Sequence, residues 1–158
     1  MSKFRKKGKK GQPAISTAAL PDIVFMLLFF FMVTTVMKET SLKVVNEMPF
    51  ATEVDKLEPK SLVSYIYIGK PIQALQKELG DAPRIQLNDA FKTKEDIALF
   101  VEMEKRKRNE LERTKITWSL KVDYHTKMGI VSEVKQELRK ADALKINYSA
   151  KKTDKILD

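Results

Sequence analysis

The sequence predicts a single N-terminal transmembrane helix followed by a small α+β domain, in which a sheet carries helices on one face. Two observations support this fold class. One long apolar stretch contains a single charge, and the residues beyond it alternate between strand-like and helix-like hydrophobic patterns. The expected segments are a basic tail at 1–17, the transmembrane helix at 18–37, an extended linker at 38–60, the folded domain at 61–150 and a C-terminal tail at 151–158.

The positive charge of the chain is concentrated at its beginning. The formal net charge is +9, and the first 21 residues carry six Lys or Arg and no acidic residue. From Lys38 onward, 24 basic residues stand against 20 acidic ones. This distribution argues against a nucleic-acid-binding protein covered in positive charge, and it favours a basic tail with a local role. The absence of cysteine excludes disulfides and thiolate metal sites.

Residues 18–37 are long enough and apolar enough to cross a membrane. Twenty helical residues cover about 30 Å, the hydrocarbon thickness of a bilayer, and no polar residue occurs from Ile23 to Val33. The short basic tail places the N-terminus in the cytoplasm and the rest of the chain on the other side. A cleavable signal peptide is the alternative, but Asp22 and the lack of a small-x-small cleavage site oppose it.

Asp22 is the one charge in this apolar stretch, about 6 Å inside its cytoplasmic end. Two interpretations remain open. Pro21 and Asp22 together are typical of a helix start, where a carboxylate meets the positive end of the helix dipole. Alternatively, since desolvation favours the protonated form of a carboxyl, Asp22 carries a proton between two environments. The second role requires partner helices from another protein, because the sequence offers no second charge inside the span.

The first half of the extramembrane part contains two predicted strands. Residues 38–60 are poor in apolar side chains and are expected to be an extended linker, with a short strand possible at 42–45. Residues 61–69 are rich in β-branched and aromatic side chains and predict a strand, and 84–88 predict a second one. Between them, 70–83 is expected to hold a loop or a brief helical turn.

A helix is predicted to begin at Thr93, because Asp96 follows at capping-box spacing. Its later half mixes Lys and Arg with four glutamates, which favours a solvated helix face over a nucleic-acid patch. Its expected apolar face consists of Ile97, Phe100, Val101 and Leu111.

The last third of the domain shows the clearest patterns. Residues 116–124 alternate strictly between apolar and polar side chains and predict a strand. A helix follows, and residues 143–149 alternate again as a closing strand. The resulting order is strand, strand, helix, strand, helix, strand, which suits a small α+β sheet. The apolar face of the second helix is expected to contain Met128, Val131, Val134, Leu138 and Ala141.

No pattern in the domain is typical of an enzyme or a cofactor-binding protein. His125 is the single histidine and is expected to lie in a surface loop. The sequence has no Gly-rich phosphate loop and no nucleophile motif. We therefore expect a binding or assembly module without enzymatic activity, cofactor or metal.

Three stretches are similar to the ExbD/TolR family of biopolymer transport proteins. They are "LPDIVFMLLFFFMVTT" behind the basic tail, "LKVVNEMP" directly after the span, and "LKVDYHTKMGIVSEVKQELRKADALKINYS" near the end. Together these stretches cover much of the chain.

The resemblance implies a subunit of a proton-driven motor in the bacterial inner membrane, with its α+β domain in the periplasm. Two ExbD-like helices, a homodimer, sit inside a pentameric ring of ExbB-like subunits. Protons pass through the intramembrane aspartate, here Asp22, and the periplasmic part moves a TonB-like protein that opens outer-membrane transporters. The implied contact with that protein lies in residues 42–49 and includes Leu42, Val44, Val45, Asn46 and Pro49.

Two other functions remain open at this point. A TolR-like or motility-type stator would use the same proton chemistry for another client. A membrane-anchored binding module would use the helix as an anchor and conduct no ions.

Overall fold

The computed structural model describes Thr17 and residues 19–34, 40–57 and 59–154. The chain divides into two compact units, Met1–Glu39 and Thr40–Asp158. Most of the predicted basic tail and the last four residues of the predicted C-terminal tail lie outside the described residues.

The first unit contains helix α1, Ala19–Thr34, whose side chains are all exposed. Asp22 lies in its first turn, and the Thr34 hydroxyl donates to the Phe30 carbonyl oxygen at 2.8 Å in its last turn. No helix among the described residues combines the length and apolarity needed to cross a membrane. Ala18 and residues 35–37 of the predicted span lie outside the described part of the chain, so the span stays a prediction.

The second unit contains a mixed five-stranded sheet and a separate parallel pair of very short strands. In the large sheet the strand order is β4-β3-β2-β5-β6, and β1 pairs with β7. Strands β2, β5 and β6 are parallel, whereas β3 and β4 are antiparallel to their neighbours. The strands are β1 (Phe50–Ala51), β2 (Val63–Gly69), β3 (Arg84–Leu87), β4 (Ala90–Lys92), β5 (Thr117–Val122), β6 (Ile146–Tyr148) and β7 (Lys151–Lys152).

Four α-helices and one 3₁₀ helix connect these strands. They are the 3₁₀ helix Lys60–Leu62, α2 (Gln73–Leu79), α3 (Asp96–Arg106), α4 (Glu110–Arg113) and α5 (Met128–Lys140). The predicted small α+β domain is therefore confirmed, and its sheet is mixed. The prediction missed β1, β4 and β7, because strands of two or three residues are too short to show an alternating pattern.

The hydrophobic core lies between one face of the sheet and helices α3 and α5. Alternation along β2 and β5 points Ile66, Ile68, Trp118 and Leu120 to this face. The Trp118 side chain is only 1 % exposed. The helices contribute Ile97, Phe100, Val101, Val131, Val134 and Leu138 to the same cluster.

The predicted helix from Thr93 was wrong in extent, and its predicted apolar face was right for Ile97, Phe100 and Val101 but wrong for Leu111. It begins at Asp96, whose carboxylate accepts from the Thr93 backbone N–H at 3.0 Å, so only one half of the capping box forms. The helix ends at Arg106 and a separate turn of helix follows at Glu110. Leu111 therefore does not continue the apolar face, and it is 84 % exposed.

Other element ends also differ from the predictions. The strand predicted at 116–124 ends at Val122, because a turn from Asp123 to Thr126 follows, and Tyr124 is exposed. Met128 is also exposed although it begins α5, and Ala141 follows the end of that helix. His125 lies in this turn and is exposed, as predicted.

Candidate functional site

Asp22 is the only charged side chain of α1. It lies in the first turn, where the exposed backbone N–H groups favour a negative charge. Met26, Phe29 and Val33 follow on the same face, and all three are exposed. Asp22 makes no hydrogen bond or ion pair with another described residue. This helix therefore presents one ionisable group at one end of an apolar surface.

The second candidate region is the segment 41–47, which packs in extended form along the domain. The Val45 N–H donates to the Lys70 carbonyl at 2.7 Å, and the Ile72 N–H donates to the Lys43 carbonyl at 2.9 Å. The carbonyl of Glu47 accepts from the Tyr124 N–H at 2.8 Å. These bonds use backbone groups of alternate residues, so one edge of the segment faces the domain.

Two buried polar side chains hold the segment in place. The side chain of Gln86 is fully buried: Oε1 accepts from the Lys43 N–H at 2.8 Å, and Nε2 donates to the Ser41 carbonyl at 2.7 Å. At the other end, Asp123 Oδ1 accepts from the Glu47 N–H at 3.0 Å. Sequence reasoning missed both residues, although a glutamine between two buried apolar residues of a strand was an available signal.

Gly69 lets the segment approach the end of β2. A Cβ atom at this position would lie 2.3 Å from the Val45 carbonyl oxygen, far inside van der Waals contact. Only glycine fits here without displacing backbone.

The predicted partner-contact residues differ in accessibility. Leu42 is exposed, Val45, Asn46 and Pro49 are partly buried, and Val44 is 2 % exposed. The backbone N–H groups of Leu42, Val44 and Asn46 make no hydrogen bond to another described residue. The Asn46 Oδ1 atom is buried and also has no hydrogen-bond partner in the described structure. Leu42 and Asn46 thus keep free backbone N–H groups at the outer edge, whereas Val44 and the Asn46 Oδ1 atom are buried.

Glu104 in α3 is a buried carboxylate with three partners. It accepts hydrogen bonds from Ser64 Oγ at 3.0 Å, Lys107 Nζ at 2.7 Å and Arg108 Nη1 at 2.9 Å. Burial opposes ionisation, but these hydrogen bonds outweigh it and hold the pKa of Glu104 below its ordinary value. Arg108 also donates to the Ser61 carbonyl at 3.2 Å, which ties the residues after α3 to the 3₁₀ helix ahead of β2.

The face of the sheet opposite the core carries a lysine between aromatic rings. Lys121 Nζ lies 4.4 Å from the centroid of the Tyr65 ring and 5.3 Å from that of Tyr67, within cation–π range. Burial lowers the pKa of Lys121. Tyr65 and Lys121 help to line a cavity of about 410 Å³. The part of the chain that the structure describes holds no cluster of His, Asp and Glu suited to a metal ion.

Comparison with known proteins gives one result. Neither a curated protein nor a solved structure matches the chain. The model of the family described as "Biopolymer transport protein ExbD/TolR" matches residues 8–153, which includes both α1 and the α+β unit. The chain therefore belongs to the ExbD/TolR family of biopolymer transport proteins.

Proposed function

We propose that this chain is an ExbD-like subunit of an inner-membrane proton-channel motor, which uses the proton motive force to energise a TonB-like protein. The observation that carries the proposal is Asp22, one carboxyl on an otherwise uncharged helix with no counter-group among the described residues. Family membership implies a membrane complex with ExbB/TolQ-like partners. Such partners would supply the surroundings that the chain itself lacks.

The proposed mechanism is a cycle of protonation at Asp22. The carboxyl takes up a proton where it is exposed to the side of higher proton activity, since the neutral form tolerates an apolar surrounding. After the helix moves inside a pentameric ring of ExbB-like subunits, the proton leaves to the cytoplasm. One charge crossing 100 mV releases about 2.3 kcal/mol, so a few protons can drive a sizeable conformational step.

The orientation follows from the basic N-terminal tail. Its Lys and Arg residues hold the N-terminus in the cytoplasm, which places the α+β unit in the periplasm. We propose two copies of the chain in the ring, so that two Asp22 carboxyls alternate between protonation states.

The segment 41–47 is the proposed contact for the TonB-like protein. Because its inner edge is bonded to the domain, a partner strand would pair with the outer edge. The free N–H groups of Leu42 and Asn46 supply the donors for such pairing, and exposed Leu42 supplies an apolar contact. Val44 is buried and would act by fixing the segment.

The test combines copurification with one isosteric substitution. The wild-type chain should copurify with an ExbB-like subunit and support transport by a TonB-dependent receptor. Asp22→Asn keeps the shape and the polar helix start but cannot release a proton. We expect unchanged copurification and loss of transport. Asp81→Asn is the matched control, because Asp81 forms an exposed ion pair with Lys70 and no other contact of this kind among the described residues.

Retained transport in Asp22→Asn would contradict the motor and support a membrane-anchored binding module. A TolR-like or motility-type stator would lose a different activity in the same variant. Receptor genes beside the gene for this chain would favour nutrient uptake over envelope maintenance.

A further inference from the structure

One end of the sheet combines basic side chains with two highly exposed leucines. It is the end where the parallel strands β2, β5 and β6 begin. Leu111, in α4 ahead of β5, is 84 % exposed, and Leu144, two residues before β6, is 70 % exposed. The Trp118 N–H donates to the Lys145 carbonyl at 2.8 Å, which fixes the residues around Leu144 beside β5.

Two segments at this end are rich in basic residues. Residues 105–115 contain six basic and two acidic residues, and 139–145 contain three basic and one acidic residue. Arg113, Leu144 and Lys145 line one cavity of about 410 Å³, so the two segments are neighbours.

Some of these basic side chains have partners and others do not. Arg106, Lys107, Arg108 and Lys140 form ion pairs with glutamates. Lys115 and Lys145 are exposed and form no ion pair with another residue that the structure describes. We call Leu111, Arg113, Lys115, Leu144 and Lys145 the basic end.

The opposite end of the sheet has exposed apolar side chains without this charge. Tyr124 and Met128 are exposed there. Residues 122–128 contain one lysine, Lys127, and one aspartate, Asp123. The turn after β5 therefore lacks the excess of positive charge found in 105–115 and 139–145.

The chain also enters the domain at this end of the sheet. Thr40 lines a small cavity with Ser64 and Glu104, and the Ser41 N–H donates to Asp89 Oδ1 at 2.9 Å. Only five residues lie between Thr34, the last residue of α1, and Thr40, and the six Cα–Cα steps of a fully extended chain span about 20 Å. If α1 crosses the membrane, the length of the connecting chain limits how far Thr40 can lie from the membrane.

We propose that the basic end docks on anionic phospholipid headgroups, with Leu111 and Leu144 inserted at the membrane interface. The inference rests on the proposed function, because it takes α1 as the membrane anchor. Lys and Arg are attracted to anionic headgroups, and leucine gains by leaving water for the interfacial region. Docking would hold the α+β unit in a resting position from which the motor must release it.

The absence of cysteine makes single-site spin labelling straightforward. The full chain, labelled at Leu111→Cys or Leu144→Cys, is placed in vesicles of phosphatidylcholine with or without phosphatidylglycerol. Oxygen dissolves in lipid, whereas a water-soluble nickel complex stays in water. When phosphatidylglycerol is present, we expect both labels to be more accessible to oxygen than to the nickel complex. Without phosphatidylglycerol, we expect both labels to stay accessible to the nickel complex. The matched control is Met128→Cys at the opposite end, which should stay accessible to the nickel complex in both vesicles.

Removal of charge should release the basic end. The triple variant Arg113→Gln, Lys115→Gln, Lys145→Gln should lower the ratio of docked to free labels roughly a hundredfold on anionic vesicles. High salt should act in the same direction, because it screens exposed charges. Lys127→Gln is the charge control and should leave the ratio unchanged.

Three outcomes would overturn the proposal. The first is equal accessibility of the labels at Leu111 and Met128 to the two reagents. The second is equal docking with and without phosphatidylglycerol. The third is shielding of the labels from both reagents in the copurified complex, which would indicate that the basic end contacts protein. A label at Phe29→Cys reports on the proposed function alone. If that label stays accessible to the nickel complex, α1 is not inserted and the motor is contradicted. The labels at Leu111 and Leu144 still report whether the basic end docks on the same vesicles.

Discussion

Asp22 and Glu104 are two carboxylates in opposite situations. Glu104 is buried and bonded to Ser64, Lys107 and Arg108 of its own chain. Asp22 is exposed on an apolar helix and has no such partner among the described residues. A carboxylate whose counter-groups belong to the same chain stays ionised and stabilises the fold. A carboxylate that lacks them has its surroundings set by solvent or by another molecule, and surroundings that can change are what a proton carrier requires.

The largest effect on stability is expected from Glu104→Gln. The substitution leaves Arg108, whose side chain is 13 % exposed, without its carboxylate. Loss of one member of a buried pair costs about 3–5 kcal/mol, and because Lys107 is half exposed we expect about 2–3 kcal/mol less free energy of unfolding. Urea unfolding of the full chain in detergent, followed by the fluorescence of the single Trp118, measures the change.

Glu102→Gln is the matched control for this prediction. Glu102 pairs with Arg106 on the exposed side of the same helix, so its loss should change the free energy of unfolding by less than about 0.5 kcal/mol. Equal effects of the two substitutions would mean that the buried hydrogen bonds of Glu104 contribute no more to the free energy of unfolding than an exposed ion pair does.

The stabilisation by Glu104 should disappear in acid. Its pKa is lower in the folded protein than the ordinary value of 4.5, so the unfolded state binds more protons as the pH falls. The difference between wild type and Glu104→Gln is then complete above pH 4.5 and decreases as the pH falls through the lower, folded-state pKa. Urea unfolding at a series of pH values checks this, and a difference that grows in acid would refute the assigned direction.

The segment 41–47 combines the two situations. Its inner edge forms hydrogen bonds within the chain, and the N–H groups of Leu42 and Asn46 on its outer edge form none with a described residue. Gly69→Ala should force the segment away from β2, since the new Cβ would lie 2.3 Å from the Val45 carbonyl oxygen. We expect a loss of about 1–2 kcal/mol, the order of one or two buried hydrogen bonds, and faster hydrogen exchange at the Val45 amide.

Gly129→Ala is the control for Gly69→Ala. A Cβ at Gly129 meets no atom within 4 Å, and alanine is the better helix former. The free energy of unfolding should stay the same or rise by up to about 1 kcal/mol. Unchanged exchange at Val45 in Gly69→Ala would show that the segment does not depend on this close approach.

The smallest effect on stability is expected from Asp22→Asn. Because no described residue bonds to Asp22, its substitution should leave the Trp118-detected free energy of unfolding within about 0.5 kcal/mol of wild type. A loss comparable to that of Glu104→Gln would place Asp22 among the structural carboxylates.

The same comparison shows how far the sequence could predict this molecule. The alternation around Trp118 and the helical spacing of Val131, Val134 and Leu138 predicted the core correctly, because burial on one face leaves a periodic pattern. Asp22 stood out because it interrupts an apolar stretch. Glu104 did not, because it occurs in a charged run and its partner Ser64 lies 40 residues away in the chain.

Local patterns also failed where tertiary contacts decide the structure. The helix break after Arg106 has no glycine or proline to announce it, and the Arg108 side chain there bonds to the carbonyls of Glu104 and Ser61. The role of Gln86 depends on a segment more than forty residues earlier. Long-range hydrogen bonds of this kind leave no periodic signal in the sequence.

The most direct test of the account is proton flux through the purified complex. The chain and its ExbB-like partner are reconstituted in vesicles with an imposed membrane potential, and an internal pH-sensitive dye records proton movement. We predict flux with the wild-type chain and none with Asp22→Asn at the same amount of assembled complex. Undiminished flux in the Asp22→Asn vesicles would contradict the claim that this carboxyl carries the proton.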